Sequence, residues 1–154
     1  MWTHLPNQSQ YEAERRAWLT QAHSSVRRSY VELRISSHAL LLLIDMERAF
    51  CGGAWLSLIM LGQAVVESTL RQIVAEDYST SIGQLSGKSQ DLRWLRELRN
   101  EITHAGEPGT PSKLWKLPPN NLPACHAALE DEAKKAAEIA YKHAYAGAKD
   151  WADQ

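Results

Sequence analysis

The placement of its chain breakers constrains this sequence most. They cluster at Pro6 and Asn7, at Gly52 and Gly53, from Gly83 to Gly87 and from Gly106 to Pro123. The stretches between are filled by Ala, Leu, Glu, Arg and Gln with few β-branched runs, a composition that favours helix and leaves almost no strand signal. The expected fold is therefore all-α, an up-and-down bundle of four to five helices. A chain of 154 residues, 44% of them hydrophobic, suits one core. Residues 1–9 are expected to form a flexible N-terminal arm and residues 10–154 a single helical domain, with a Pro-rich loop at about 105–122.

The block from Gln10 to Phe50 is too long for one globular helix, so it predicts two helices or a bent one, with serine pairs at Ser24–Ser25 and Ser36–Ser37 as break points. Ala54 to Asp77 is apolar on nearly every face, through Trp55, Leu58, Ile59, Val65 and Val66, which marks a helix surrounded by others. From Ser89 to Thr103, Leu92, Leu95, Leu98 and Ile102 recur at helical spacing and the other faces are charged. A last helix starts near Pro123, where proline suits a first turn, and carries Tyr141 and Tyr145 one turn apart.

Seventeen basic against eighteen acidic residues give a net charge of −1. No whole-protein field attracts a polyanion, and any such binding must be local. Arg15, Arg16, Arg27, Arg28 and Arg34 bias the first block toward positive charge, either as a solvated helix face or as a track for a nucleic-acid backbone. The purely aliphatic run Ala39 to Ile44 ends at Asp45, far short of the roughly 20 residues that span a bilayer. The N-terminal residues lack the apolar stretch of a secretory signal. The expectation is a cytoplasmic protein without a membrane segment. Two cysteines, Cys51 and Cys125, and six scattered histidines offer neither a disulfide framework nor metal-ligand spacing, so no metal and no cofactor are expected.

The segment with chemistry in it runs from Leu95 to Gly106 and contains Arg99-Asn100-x-x-x-His104. On an ideal helix Asn100 and His104 share a face, whereas Arg99 and His104 are turned by roughly 140° from one another. Cooperation between the two requires the helix to loosen at His104, and Gly106 with Pro108 predicts that stop. There the negative end of the helix dipole favours a charged imidazole. A histidine able to transfer protons, beside a guanidinium that grips phosphate oxygens, is a set suited to phosphodiester chemistry without metal. The plainer reading is a surface arginine paired with nearby carboxylates and a histidine capping its helix. Glu67, inside the apolar helix, needs a partner. Arg71, one turn on, supplies one reading; the motif helix, with Arg99 or His104, supplies the other.

The motif, at the end of a late helix in a small helical bundle, resembles the HEPN superfamily, the higher eukaryotes and prokaryotes nucleotide-binding domain. The likeness is specific over Arg99 to Gly106 and architectural over about Ala54 to Ala148. It implies a metal-independent endoribonuclease, homodimeric, in a toxin–antitoxin or phage-defence role with an antitoxin or other protein as partner. In that case Arg99 is the phosphate ligand, His104 the general base or acid, and Asn100 orients substrate or the histidine. The implied products are 2′,3′-cyclic phosphate and 5′-hydroxyl ends. Some superfamily toxins carry a tyrosine two residues after the histidine; Gly106 stands there in this chain, which argues against control by nucleotide transfer to that position. Other superfamily members are inactive dimerisation or adaptor modules that bind a nucleotide or a protein, and this alternative stands beside the enzyme. In the Pro-rich loop, Lys113, Trp115 and Lys116 combine cations with an aromatic ring suited to stacking on a base, or the ring pins the loop to the bundle.

Overall fold

α-Helix is the only regular structure among the residues described by the computed structural model, which are 8–27, 35–76, 87, 89–104 and 122–145. Five helices are found there: α1 (Gln8–Arg27), α2 (Ser37–Cys51), α3 (Trp55–Glu76), α4 (Gln90–Thr103) and α5 (Leu122–Ala144). The all-α bundle expected from the sequence is the observed one. Gln8 and Ser9, assigned by sequence to the N-terminal arm, already belong to α1. The Pro-rich loop with Lys113, Trp115 and Lys116 lies outside the described residues, as does Gly106.

The first block forms two helices, and only one of its serine pairs marks the break. Ser36 caps α2, its Oγ accepting the Ala39 N–H at 3.1 Å, which satisfies one of the orphan donors of a helix start. Ser25 instead stays inside α1 and returns its hydroxyl to the Gln21 carbonyl at 2.8 Å, a back-bond that lets serine remain helical. At the α2–α3 corner Gly53 takes φ +69, a left-handed conformation that glycine adopts without steric cost.

α3 is central. Leu58, Ile59 and Val65 are wholly buried and Val66 is nearly so, and its main neighbours are α2 and α5. At Gly62 a Cβ would stand 3.5 Å from the Ala136 carbonyl oxygen, 3.7 Å from Ala140 Cβ and 3.7 Å from Met46 Sδ. The facing side of α5 is a row of fully buried alanines, Ala133, Ala136, Ala137, Ala140 and Ala144, so the helix axes come close together. By length and composition Trp55–Ala75 is apolar enough to cross a bilayer, and half of it is buried in the bundle.

Side-chain pairs fix the helix directions. Gly62 meets Met46, and Phe50 packs edge-on to Trp55, so α2 and α3 are antiparallel. Trp55 reaches His126 at one end of α5 while Gly62 reaches Ala136 and Ala140 further along, so α3 and α5 run the same way. Lys142 bonds Asp91 at 3.1 Å, and Lys135 sits 4.0 Å from the Trp94 ring, so α4 runs against both. Contacts at Arg15 and His23 give the direction of α1. Arg15, 7% exposed, lies 4.7 Å from the Trp55 ring and donates to the Cys51 carbonyl at 3.3 Å. His23 stacks on Tyr141 and Tyr145 with centroids 4.9 and 5.5 Å apart, and its Nε2 is 2.6 Å from the Tyr145 hydroxyl. The described helices therefore alternate in direction.

Two outcomes follow from this packing. Gly62→Ala is expected to leave the urea midpoint unchanged or raise it, since a methyl group meets only ordinary contact distances and Ala favours helix by about 1 kcal/mol; Gly62→Leu is expected to lose about 1–3 kcal/mol by overpacking. His143 is fully buried, with 0% exposure, and burial, aided by the Lys142 ammonium, pushes its imidazole down to about 4. Its folded state binds the proton less readily than an unfolded histidine near 6.5, so the stabilisation is complete above pH 6.5 and is lost as pH falls toward 4. Unfolding free energies measured across that window should drop by up to about 3 kcal/mol, and His143→Leu should flatten the profile.

Candidate functional site

On α3, Leu56, Met60, Gln63 and Glu67 fall at helical spacing on one stripe. On α4 the buried Leu92, Leu95 and Leu98 face the core, which turns Arg96, Arg99 and Asn100 to the shoulder beside that stripe. The two helices enclose a groove of about 350 Å³, walled by Gln63, Glu67 and Arg71 from α3 and by Arg96, Arg99 and Asn100 from α4, with Val66, Leu70 and Leu92 completing its lining.

Glu67 is the hub of the groove. Its Oε1 accepts an N–H from Gln63 Nε2 at 2.9 Å and faces Arg99 Nη2 at 4.0 Å. Among the described residues its ionic partner is therefore Arg99 rather than Arg71. Both side chains are more than a third exposed, 41% and 35%, so the pair adds little stability and its effect is to aim the guanidinium. Arg99 Nη1 donates to Asn100 Oδ1 at 2.9 Å. Asn100 thus orients Arg99 here, a role different from the orientation of substrate or histidine that the motif suggests.

His104 is the C-cap of α4. Its backbone departs from helix at φ −107, ψ 22, while its N–H still bonds the Asn100 carbonyl at 2.9 Å. The loosening expected from the sequence occurs at this residue. The Thr103 hydroxyl lies 3.0 Å from the Arg99 carbonyl and 3.1 Å from that of Asn100, which closes the last turn. The His104 side chain is exposed and stands beyond the groove, which gathers Glu67, Arg99 and Asn100 without it.

Sequence reasoning missed Gln63 and Arg96. Gln63 is only 8% exposed; its NH2 is held by Glu67, and its Oε1 is buried without a hydrogen-bond partner. A buried unsatisfied acceptor costs about 1–3 kcal/mol, so this amide is not there for stability. The available signal was its position four residues before Glu67 on an otherwise apolar face.

A larger depression, about 660 Å³, lies between α1 and α2 beside Arg16, His23, Glu47, Arg48 and Cys51. Its arginines are committed within their own helices, Arg16 to Glu12 at 2.8 Å and Arg48 to Asp45 at 3.1 Å. Burial pushes the Cys51 thiol up, the reverse of what a reactive cysteine requires. Arg15 is buried against Trp55 and so forms no part of a surface track, while Arg28 and Arg34 lie outside the described residues. The groove between α3 and α4 is the better candidate because its cations remain available. Among the described residues no group of three His, Cys, Asp or Glu side chains is placed to hold a metal ion.

Comparison with known protein families, with characterised proteins and with solved structures finds no match to this chain. The site therefore stands on its own geometry. If the Gln63 amide serves the groove and not the core, Gln63→Leu is expected to keep or raise the thermal midpoint, by about 1 kcal/mol in stability. A clear fall in thermal unfolding would instead mark it as structural.

Proposed function

We propose that this chain is a metal-independent endoribonuclease of HEPN type, working as a homodimer in a toxin–antitoxin or phage-defence role. The observation that carries the reading is the alignment Glu67–Arg99–Asn100, which points a charged fork into a groove one turn from an exposed histidine. Arg99 binds the non-bridging oxygens of the scissile phosphate and stabilises the charge that builds on them in the transition state. The ribose 2′-oxygen bonds to phosphorus as the bond to the 5′-oxygen breaks. His104 takes the proton of the 2′-hydroxyl or supplies one to the departing 5′-oxygen, and a second copy of the motif performs the other transfer.

The need for a second copy agrees with the surface next to the groove. Leu56 and Met60 continue the stripe of Gln63 and Glu67, and they are 41% and 36% exposed. Apolar side chains left open beside a polar site favour burial against another protein surface. The position of His104 outside the groove lining favours a second reading, an inactive module that binds a nucleotide or a protein partner in the groove.

Cleavage of RNA in EDTA by the wild-type protein separates the two. His104→Ala is expected to lower the rate by about 10²–10⁴ and Arg99→Ala by about 10²–10³, with helical content and oligomer unchanged and with cyclic phosphate ends on the wild-type product. Absence of cleavage across several RNA classes would leave the binding module as the reading.

A further inference from the structure

Three guanidinium groups converge on the groove between α3 and α4, those of Arg71, Arg96 and Arg99, against the single carboxylate of Glu67. The surplus of positive charge is local, in a chain of net charge −1. Only Arg99 is engaged: Glu67 and Asn100 hold it. Among the described residues Arg71 and Arg96 have no carboxylate within ion-pair distance, and both are exposed. Two adjacent guanidinium groups left open in one groove repel each other and gain nothing for the fold.

The helix directions order these charges. Because α3 and α4 are antiparallel, the step from Glu67 to Arg71 and the step from Arg99 back to Arg96 lead the same way along the groove. They move by one helical turn, about 5.4 Å, a separation comparable to that of successive phosphates on an extended single strand. His104 lies at the opposite end, past Asn100. The resulting order is Arg71 with Arg96, then Glu67 with Arg99, then Gln63 with Asn100, then His104.

We propose that Arg71 and Arg96 form a second phosphate site, which holds the backbone phosphate next to the one Arg99 binds, on the side away from His104. The ligand is single-stranded RNA, engaged through its backbone and without base readout from these two residues. The inference rests on the ribonuclease reading for the identity of the strand, and it concerns binding, so its test does not depend on cleavage. A volume of about 350 Å³ is at the lower end of ligand sites, enough for one nucleotide unit between two gripped phosphates.

The test measures binding of a short single-stranded RNA oligonucleotide to the His104→Ala protein over a series of salt concentrations. It is repeated with Arg71→Gln and Arg96→Gln added, and with Arg16→Gln and Arg48→Gln added as a control of equal charge change on the α1–α2 side. Loss of the one phosphate held by this pair is expected to reduce the slope of log affinity against log salt by about 0.7, the value for one phosphate on a single strand. The control should keep the parent slope, and circular dichroism should be the same for all three proteins. Equal slopes for groove variant and control would overturn the second site, while wild-type cleavage would keep the ribonuclease reading intact. A reduced slope together with a wild-type protein that fails to cleave would retain the site and discard the ribonuclease. No binding by the parent protein at low salt would overturn the site outright.

Discussion

Everything in this bundle is arranged around the burial of α3. A helix apolar on nearly all faces has to be enclosed, and the chain does so with α2 on one side and the alanine row of α5 on another. Small residues make that enclosure tight. Gly62 removes the side chain where Met46, Ala136 and Ala140 converge, and interiors packed at this density tolerate little added volume. The remaining open face of α3 carries Gln63, Glu67 and Arg71, and α4 docks beside it. The candidate site thus lies on a face of the central helix that is not fully covered by apolar side chains.

α1 relates to the rest differently. It meets the bundle through a few specific contacts, with Arg15 on Trp55 and the Cys51 carbonyl, Trp18 stacked 4.9 Å from Phe50, and His23 on Tyr141 and Tyr145. Glu47 ties into the same cluster by accepting the Tyr141 hydroxyl at 2.8 Å. His126 secures the opposite end of the bundle. Its Nδ1 accepts the Trp55 indole N–H at 3.2 Å and its Nε2 lies 3.2 Å from the Gly53 carbonyl, an arrangement that suits the neutral Nε2-protonated ring. The hydrogen-bond partners of both histidines lie 71 to 122 residues away in the chain, beyond any local pattern.

The candidate site was legible in part. Arg99, Asn100 and His104 stand out as a motif at the end of a charged helix, and the stop at His104 follows from local rules about helix termini. The choice between Arg71 and Arg99 as partner of Glu67 was not legible. Arg71 lies at a spacing that any isolated helix would favour, whereas Arg99 reaches Glu67 only because α4 packs against α3. Ser24–Ser25 and Ser36–Ser37 looked equivalent as breaks for a similar reason. A serine caps a helix or stays inside one according to where its hydroxyl finds a partner, and Ser36 finds Ala39 while Ser25 finds Gln21.

Helix periodicity, breaker placement and capping residues act within a few positions of themselves, so the sequence alone determined the all-α class, the central role of α3 and the bounds of α4 to within a residue. Convergence between helices depends on rotation, direction and distance, which packing decides. Only the tertiary structure could bring Gln63 and Glu67 to Arg99, set Arg71 level with Arg96 along the same groove, and leave His104 one turn outside it.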